Sequence, residues 1–345
     1  MLKPIAESGF SSRHHATVLS IAFNSAGTLI VSGSEDESIK LWDLEGNCLQ
    51  TFYECIFPGS ARQPICAVAF TPNGESIVSG SKGAQVTIWN LEGKTTSFIN
   101  HWGYANAVVF RPTELNSIAH SSRDNTIHFR NLEKHQQFMF EAHTDHIRTI
   151  AFSPNGQYLV STSQDGSVKL WDLTLTDNYL QPSHFLRAYV QPPHRSLPRQ
   201  IMALPVGCVF SSDGSSILSI ATDGTFEHWG LDGSVIRRIT PIDFYTVYSV
   251  AFSASISGTF IVCATHYGAL RLSLLDNQGI YRCYGDFYAN IPPVRPTSPV
   301  YSLAFSNDGQ RLVAGRQNGT IELWDTSALQ DYRLGQQDQK DYQKD

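Results

Sequence analysis

The chain has 345 residues, of which 41% are hydrophobic and 16% charged, with a formal net charge of -6. That balance supplies a globular core, and no apolar run approaches the roughly 20 residues that span a bilayer, so membrane insertion is not expected. The acidic surplus gives no general pull toward nucleic acid or anionic lipid, which would need a local basic patch.

Taken in chain order, one pattern recurs seven times, a first apolar run ending on Phe and a third ending, in most copies, on Trp. Unit one, VLSIAFNSAGTLIVSGSEDESIKLWDL, carries Phe23 and Trp42, and unit two, ICAVAFTPNGESIVSGSKGAQVTIWNL, carries Phe70 and Trp89. Unit three keeps Phe110, has one extra residue, and places Arg130 where Trp is expected. Unit four, IRTIAFSPNGQYLVSTSQDGSVKLWDL, is the clearest, with Phe152 and Trp171. Unit five has Phe210 and Trp229, unit six has Phe252, a two-residue insertion and Ser273 at the Trp place, and unit seven has Phe305 and Trp324. Within unit four, Pro154 presets φ while Gly156 and Gly166 accept positive φ, so tight hairpins join three strands. Its first strand is apolar on both faces, with Ile150 and Phe152 on one and Ile147 and Ala151 on the other. Only neighbouring copies can cover both. A further strand-like piece follows most units, such as residues 46–52 and 233–239, giving four strands at a spacing of roughly 40 to 58 residues.

The Ser-Pro-Asn-Gly turns, the Ser-Gly-Ser and Asp-Gly steps and the dipeptides Trp42-Asp43, Trp171-Asp172 and Trp324-Asp325 resemble the WD-repeat (WD40) family over nearly the whole chain. The resemblance implies an all-β, seven-bladed β-propeller of four-stranded antiparallel blades. The expected domain is 1–326, with blade cores at about 14–52, 61–100, 101–141, 143–190, 201–240, 243–288 and 296–326 plus 4–12, and with 327–345 a polar tail. No good fourth strand follows Trp324-Asp325, so Pro4 to Ser12 is expected to pair onto unit seven and close the ring, removing an exposed edge.

Several constellations look like chemistry. His143, Ser161, Asp165 and Trp171, repeated as His14, Ser32, Asp36 and Trp42, suggest a Ser/His/Asp hydrolase. The set recurs in two units and lacks a Gly-x-Ser-x-Gly elbow, and it matches the structural hydrogen-bond network of the resembled family, so catalysis is not expected. Other units keep it in part: unit three has His101 and Asp124 with His120 and Arg130, unit five has Ser219, Asp223 and Trp229 with Ile201, and unit two has Ser79 and Trp89 with Ala61 and Gly83. Neither His143 and His146 nor His14 and His15 have metal-site company, none of the six cysteines forms a CxxC pair, and no Gly-rich nucleotide motif occurs. No metal, cofactor or small-molecule substrate is expected.

Recognition by the surface is the reading that is left. In propellers of the resembled family the loops entering the first strand and those joining the second to the third share one rim. At the Arg148 position the copies carry Leu19, Cys66, Asn106, Val206, Tyr248 and Tyr301, and at the Gln164 position Glu35, Lys82, Arg123, Thr222, His266 and Gln317, with Tyr104 and His146 bordering. Aromatic and cationic groups in this mixture are typical of protein-binding hot spots. The expected function is a non-catalytic scaffold or adaptor that holds protein or peptide partners, in a multi-protein complex, on this face. A second reading takes the proline-rich segment 178–212, with Arg187, Arg195 and Arg199 and no Asp or Glu before residue 213, as a dock for acidic or phosphorylated segments or nucleic acid. A third places an enzyme site in the central channel, without an acid/base cluster to support it. The first residues, Met1-Leu2-Lys3-Pro4, lead into Glu7 without the apolar stretch of a secretory signal, and a cytoplasmic location is expected.

Overall fold

The computed structural model describes residues 3–4, 13–54, 62–83, 85–100, 104–114, 116–133, 136–174, 204–240, 246–255, 258–265, 267–276, 281–287 and 298–327. They form seven antiparallel sheets whose strands follow chain order. Blade 1 is Val18–Phe23, Ile30–Ser34, Ser38–Trp42 and Cys48–Tyr53. Blades 2, 3, 5 and 6 repeat that plan from Ile65, Val108, Pro205 and Val247. Blade 4 shows three strands among the described residues, Ile147–Phe152, Tyr158–Ser163 and Val168–Asp172.

Blade 7 is Val300–Phe305, Arg311–Arg316 and Ile321–Asp325, and its fourth strand is the N-terminal Lys3–Pro4, with Lys3 opposite Asp325 and Pro4 opposite Trp324. The ring therefore closes as expected, on the first residue of the anticipated segment, while 5–12 lie outside the described residues. An outermost strand tolerates Pro4 because it need not donate to the ladder. The first strand of each blade touches the first strands of both neighbours right round the ring.

The core lies between the blades. Seven apolar clusters each join adjacent blades; one combines Val31, Ile39 and Leu41 of blade 1 with Ile65, Val68 and Trp89 of blade 2, and another joins Val18 and Trp42 of blade 1 to Val313 and Leu323 of blade 7. The second-strand glycines fit this packing. A Cβ on Gly33 would stand 2.6 Å from Ile65 Cγ2, and one on Gly80 2.7 Å from Ala105 Cβ, so the Ser-Gly-Ser step marks where the next blade presses closest.

Strict alternation in the first strand is corrected by the structure. Six blades shift register just after the first strand's opening residue, between Ile147 and Thr149 in blade 4 and at the matching places in blades 1, 2, 5, 6 and 7. The extra residue is a β-bulge, which turns its neighbours about the strand axis. Ile147 thus joins Ile150 and Phe152 against blade 3, and Ala151 faces blade 5. In blade 6 the two-residue insertion lengthens the first hairpin, Val247–Ser255 with Gly258–Thr265.

Candidate functional site

Two four-residue hydrogen-bond networks lie in blades 4 and 1. In blade 4 His143 Nδ1 lies 3.0 Å from Asp165 Oδ2, Nε2 lies 2.7 Å from Ser161 Oγ, and the Trp171 indole donates to the same oxygen over 2.9 Å. Blade 1 matches it, with 2.9 Å from His14 to Asp36, 2.7 Å to Ser32 and 2.8 Å from Trp42. An indole only donates and a carboxylate only accepts, which fixes the protons: imidazole Nδ1–H points to Asp, and the Ser hydroxyl donates to Nε2.

Burial lowers the pKa of both histidines against the opposing pull of Asp36 and Asp165, keeping them neutral. Burial would raise the carboxyls, but hydrogen bonds led by those from His14 and His143 outweigh it and hold both far below the usual range. Ser32 and Ser161 are fully buried, each already engaged by histidine and tryptophan. These hydroxyls cannot reach a substrate, so the hydrolase geometry is a frame.

The frame carries a rim. A backbone bond recurs from the second-to-third-strand turn to the residue before the first strand or its neighbour: Glu35 N–H to Thr17, Lys82 to Pro64, Gln164 to His146, Thr222 to Leu204 and Gln317 to Pro299, all 2.8–2.9 Å. It holds the two sets of variable positions side by side. Apart from Asn106 of blade 3, the first set coincides with the β-bulge residues Leu19, Cys66, Arg148, Val206, Tyr248 and Tyr301, on the first strands that touch one another round the ring.

Glu35, Arg123, Gln164 and Gln317 are exposed, whereas Lys82, Tyr104, His146, Arg148 and Tyr301 are half-buried. Tyr248 stacks on Tyr301, centroids 5.0 Å apart. Burial raises the Tyr301 pKa, helped by Tyr248 and Glu35, which brings the stack next to blade 1. Cys66 is pushed up to about 11 by burial, with Lys82 opposing and Glu35 adding, so blade 2 continues the ring. The Arg123 guanidinium lies 4.7 Å from the Tyr104 ring centroid. Arg148 is more enclosed than a rim residue should be: burial lowers its pKa, Asp145 offsets this in part, and its buried Nε has no partner. Asp145 is occupied by His146, 2.7 Å away.

His266, Arg187, Arg195 and Arg199, like His101, Ala61, Ile201 and the 327–345 tail beyond Ser327, lie outside the described residues. Two residues escaped the sequence reading. Tyr267, 62% exposed, holds the turn position of Asp36 and Asp165 in blade 6 and adds a third tyrosine to that sector. Glu54 fills the histidine's role in blade 2, accepting the Ser79 hydroxyl over 2.6 Å. Tyr267 replaces the aspartate by which the turn is recognised, and Glu54 belongs in sequence to blade 1.

A cavity of about 220 Å³ lies beside the first strands of blades 4 to 7. Its wall includes Cys208, Val250, Phe252, Leu303 and Phe305, and burial pushes the Cys208 thiol up to about 12. None of the lining side chains can act as a general acid or base near neutral pH. No helix of the described residues is long and apolar enough to cross a membrane.

The family model described as WD domain, G-beta repeat, matches residues 7–43, 46–90, 134–172 and 292–325. The unmatched stretches hold most of blade 3 and all described strands of blades 5 and 6, yet their sheets are present. The small ribosomal subunit protein RACK1y of Oryza sativa subsp. japonica is 31% identical over 199 residues, 56% of this chain and 52% of its own. Striatin of Homo sapiens is 29% identical over 201 residues, 56% of this chain and 19% of its own, and the Protein LST8 homolog of Drosophila melanogaster 28% over 148, covering 42% and 44%. The chain thus spans about half or less of the length of the curated relatives it matches.

Proposed function

Since the chain belongs to the WD40-repeat family and folds as its seven-bladed propeller, we propose that it is a non-catalytic scaffold that holds protein segments across the rim described above. The carrying observation is the separation of roles at that rim. Backbone bonds and the buried networks fix the frame, while the bulge and turn positions present Glu35, Lys82, Arg123, Arg148, Tyr248 and Tyr301 without using them in it. Rigid aromatic anchors ringed by charge are what a peptide interface needs, because little side-chain entropy is lost when they are covered. The non-catalytic reading is supported by the engaged serines of blades 1 and 4 and by a cavity lining that holds no carboxylate, histidine or lysine.

The test is affinity capture from native lysate with the wild type and with an Arg123, Arg148, Tyr248 and Tyr301 quadruple alanine variant that melts normally. Loss of captured proteins from the variant is expected. If both recover the same set, the rim is not the binding face.

A further inference from the structure

Blade 2 lacks the histidine and aspartate of blades 1 and 4, yet its tryptophan network is intact. The Trp89 indole donates to Ser79 Oγ over 2.9 Å, and Ser79 donates to Glu54 Oε1 over 2.6 Å. Glu54 directly follows the last strand of blade 1, Cys48–Tyr53, so its carboxyl crosses the junction between the two blades. It is 4% exposed.

The second carboxyl oxygen, Oε2, is buried without a hydrogen-bond partner. So are Gln85 Oε1 and Thr87 Oγ1 on the third strand of blade 2, on side chains only 6% and 2% exposed. Gln85 sits where blades 1 and 4 carry Ser38 and Ser167, whose hydroxyls lie 3.0 and 2.9 Å from histidine Nδ1. An ionised carboxylate can only accept, and so can an amide oxygen, so Gln85 Oε1 has nothing to gain from a charged Glu54, whose donors are the neutral hydroxyls of Ser79, Ser81 and Thr87 alone.

A counter-charge is lacking as well. The ionisable groups on the adjoining elements include Lys40 on the third strand of blade 1, whose ammonium donates to Thr51 over 3.2 Å and lies over the Trp42 ring, Cys66 on the first strand of blade 2, Lys82 and Glu35 on the rim, and Tyr53 under the Arg62 guanidinium at 4.0 Å. None of these forms an ion pair with Glu54 among the described residues. A buried, unpaired carboxylate is strongly disfavoured. One proton on the carboxyl removes both defects.

We propose that Glu54 joins blades 1 and 2 as a neutral carboxylic acid, a latch that weakens when the carboxyl ionises. Burial raises its pKa, and the hydroxyls of Ser79, Ser81 and Thr87 offset this only in part. The contribution is fully present below the ordinary value of 4.5, where the unfolded chain is protonated too, and is lost as pH rises through the folded value. This sign is opposite to that of His14 and His143, which lose their contribution as pH falls.

The test compares urea unfolding of the full chain with that of Glu54→Gln, whose amide keeps the acceptor for Ser79 and supplies a fixed N–H donor. With rising pH the unfolding constant of the wild type should grow relative to the variant's, by up to about tenfold per pH unit, and then level off. A pH-independent ratio overturns the proposal. So does a wild-type stability, absent from the variant, that rises with Na⁺, K⁺ or Ca²⁺ at constant ionic strength, because a cation would then fill the pocket. Should Glu54→Gln not fold, hydrogen exchange of the wild type decides. Protection of the Trp89 indole that falls with pH faster than that of Trp171, after correction for intrinsic exchange, supports the latch, and parallel behaviour refutes it.

Discussion

Ser161→Ala is the sharpest test of the frame. Ser161 Oγ accepts the Trp171 indole N–H over 2.9 Å and donates to His143 Nε2 over 2.7 Å. Truncation strands both partners on side chains that are 1% and 6% exposed, too enclosed for water to replace the hydroxyl. Each buried unsatisfied group costs about 1–3 kcal/mol, so the variant should lose about 2–6 kcal/mol. That is a large part of the roughly 5–15 kcal/mol by which domains are stable. Urea denaturation near neutral pH, followed by tryptophan fluorescence, should show a lower midpoint with an unchanged slope. Adding Trp171→Phe removes one stranded donor, so the two changes together should destabilise less than their sum, by about 0.5–3 kcal/mol. A loss under about 1 kcal/mol for Ser161→Ala, or strict additivity, would refute the reasoning.

Three further outcomes follow from the same geometry. The histidine pKa values are depressed by burial, so stability should fall as pH drops below about 6.5, and should fall more steeply below about 3.8, where Asp36 and Asp165 of the unfolded chain take up protons; a His14→Gln/His143→Gln variant should lack the upper limb, and retention of that limb would contradict neutral imidazoles. Gly80→Ala would place its Cβ 2.7 Å from Ala105 Cβ and 3.1 Å from the Ala105 carbonyl oxygen, costing about 1–3 kcal/mol in a chemical melt, with partial rescue by Ala105→Gly. Deleting residues 1–13 removes the partner of Trp324 and Asp325 and should lower Tm together with amide protection over Ile321–Asp325; an unchanged melt would mean that this pairing does not hold the ring.

The seven units and both complete networks were legible in the chain because their causes are local. Turn residues such as Pro154 and Gly156 act within a few positions, apolar runs declare strands, and His143, Ser161, Asp165 and Trp171 keep the spacing of His14, Ser32, Asp36 and Trp42. The rim positions could be enumerated for the same reason, although Arg148 proved half-buried and Tyr267 was missed.

Contacts between blades followed a different logic. Glu54 serves Ser79, 25 residues away in the next blade, and Arg316 of blade 7 pairs with Glu322 while donating to the Ser298 and Gly268 carbonyl oxygens, the latter in blade 6. Neither follows from the repeat, because each residue stands where the repeat has something else. What the sequence by itself determined was the blade, its turns and its number. The tertiary structure decided which polar groups each blade borrows from its neighbour, because burial between blades, with no water to satisfy a stray donor or acceptor, selects partners by proximity in space.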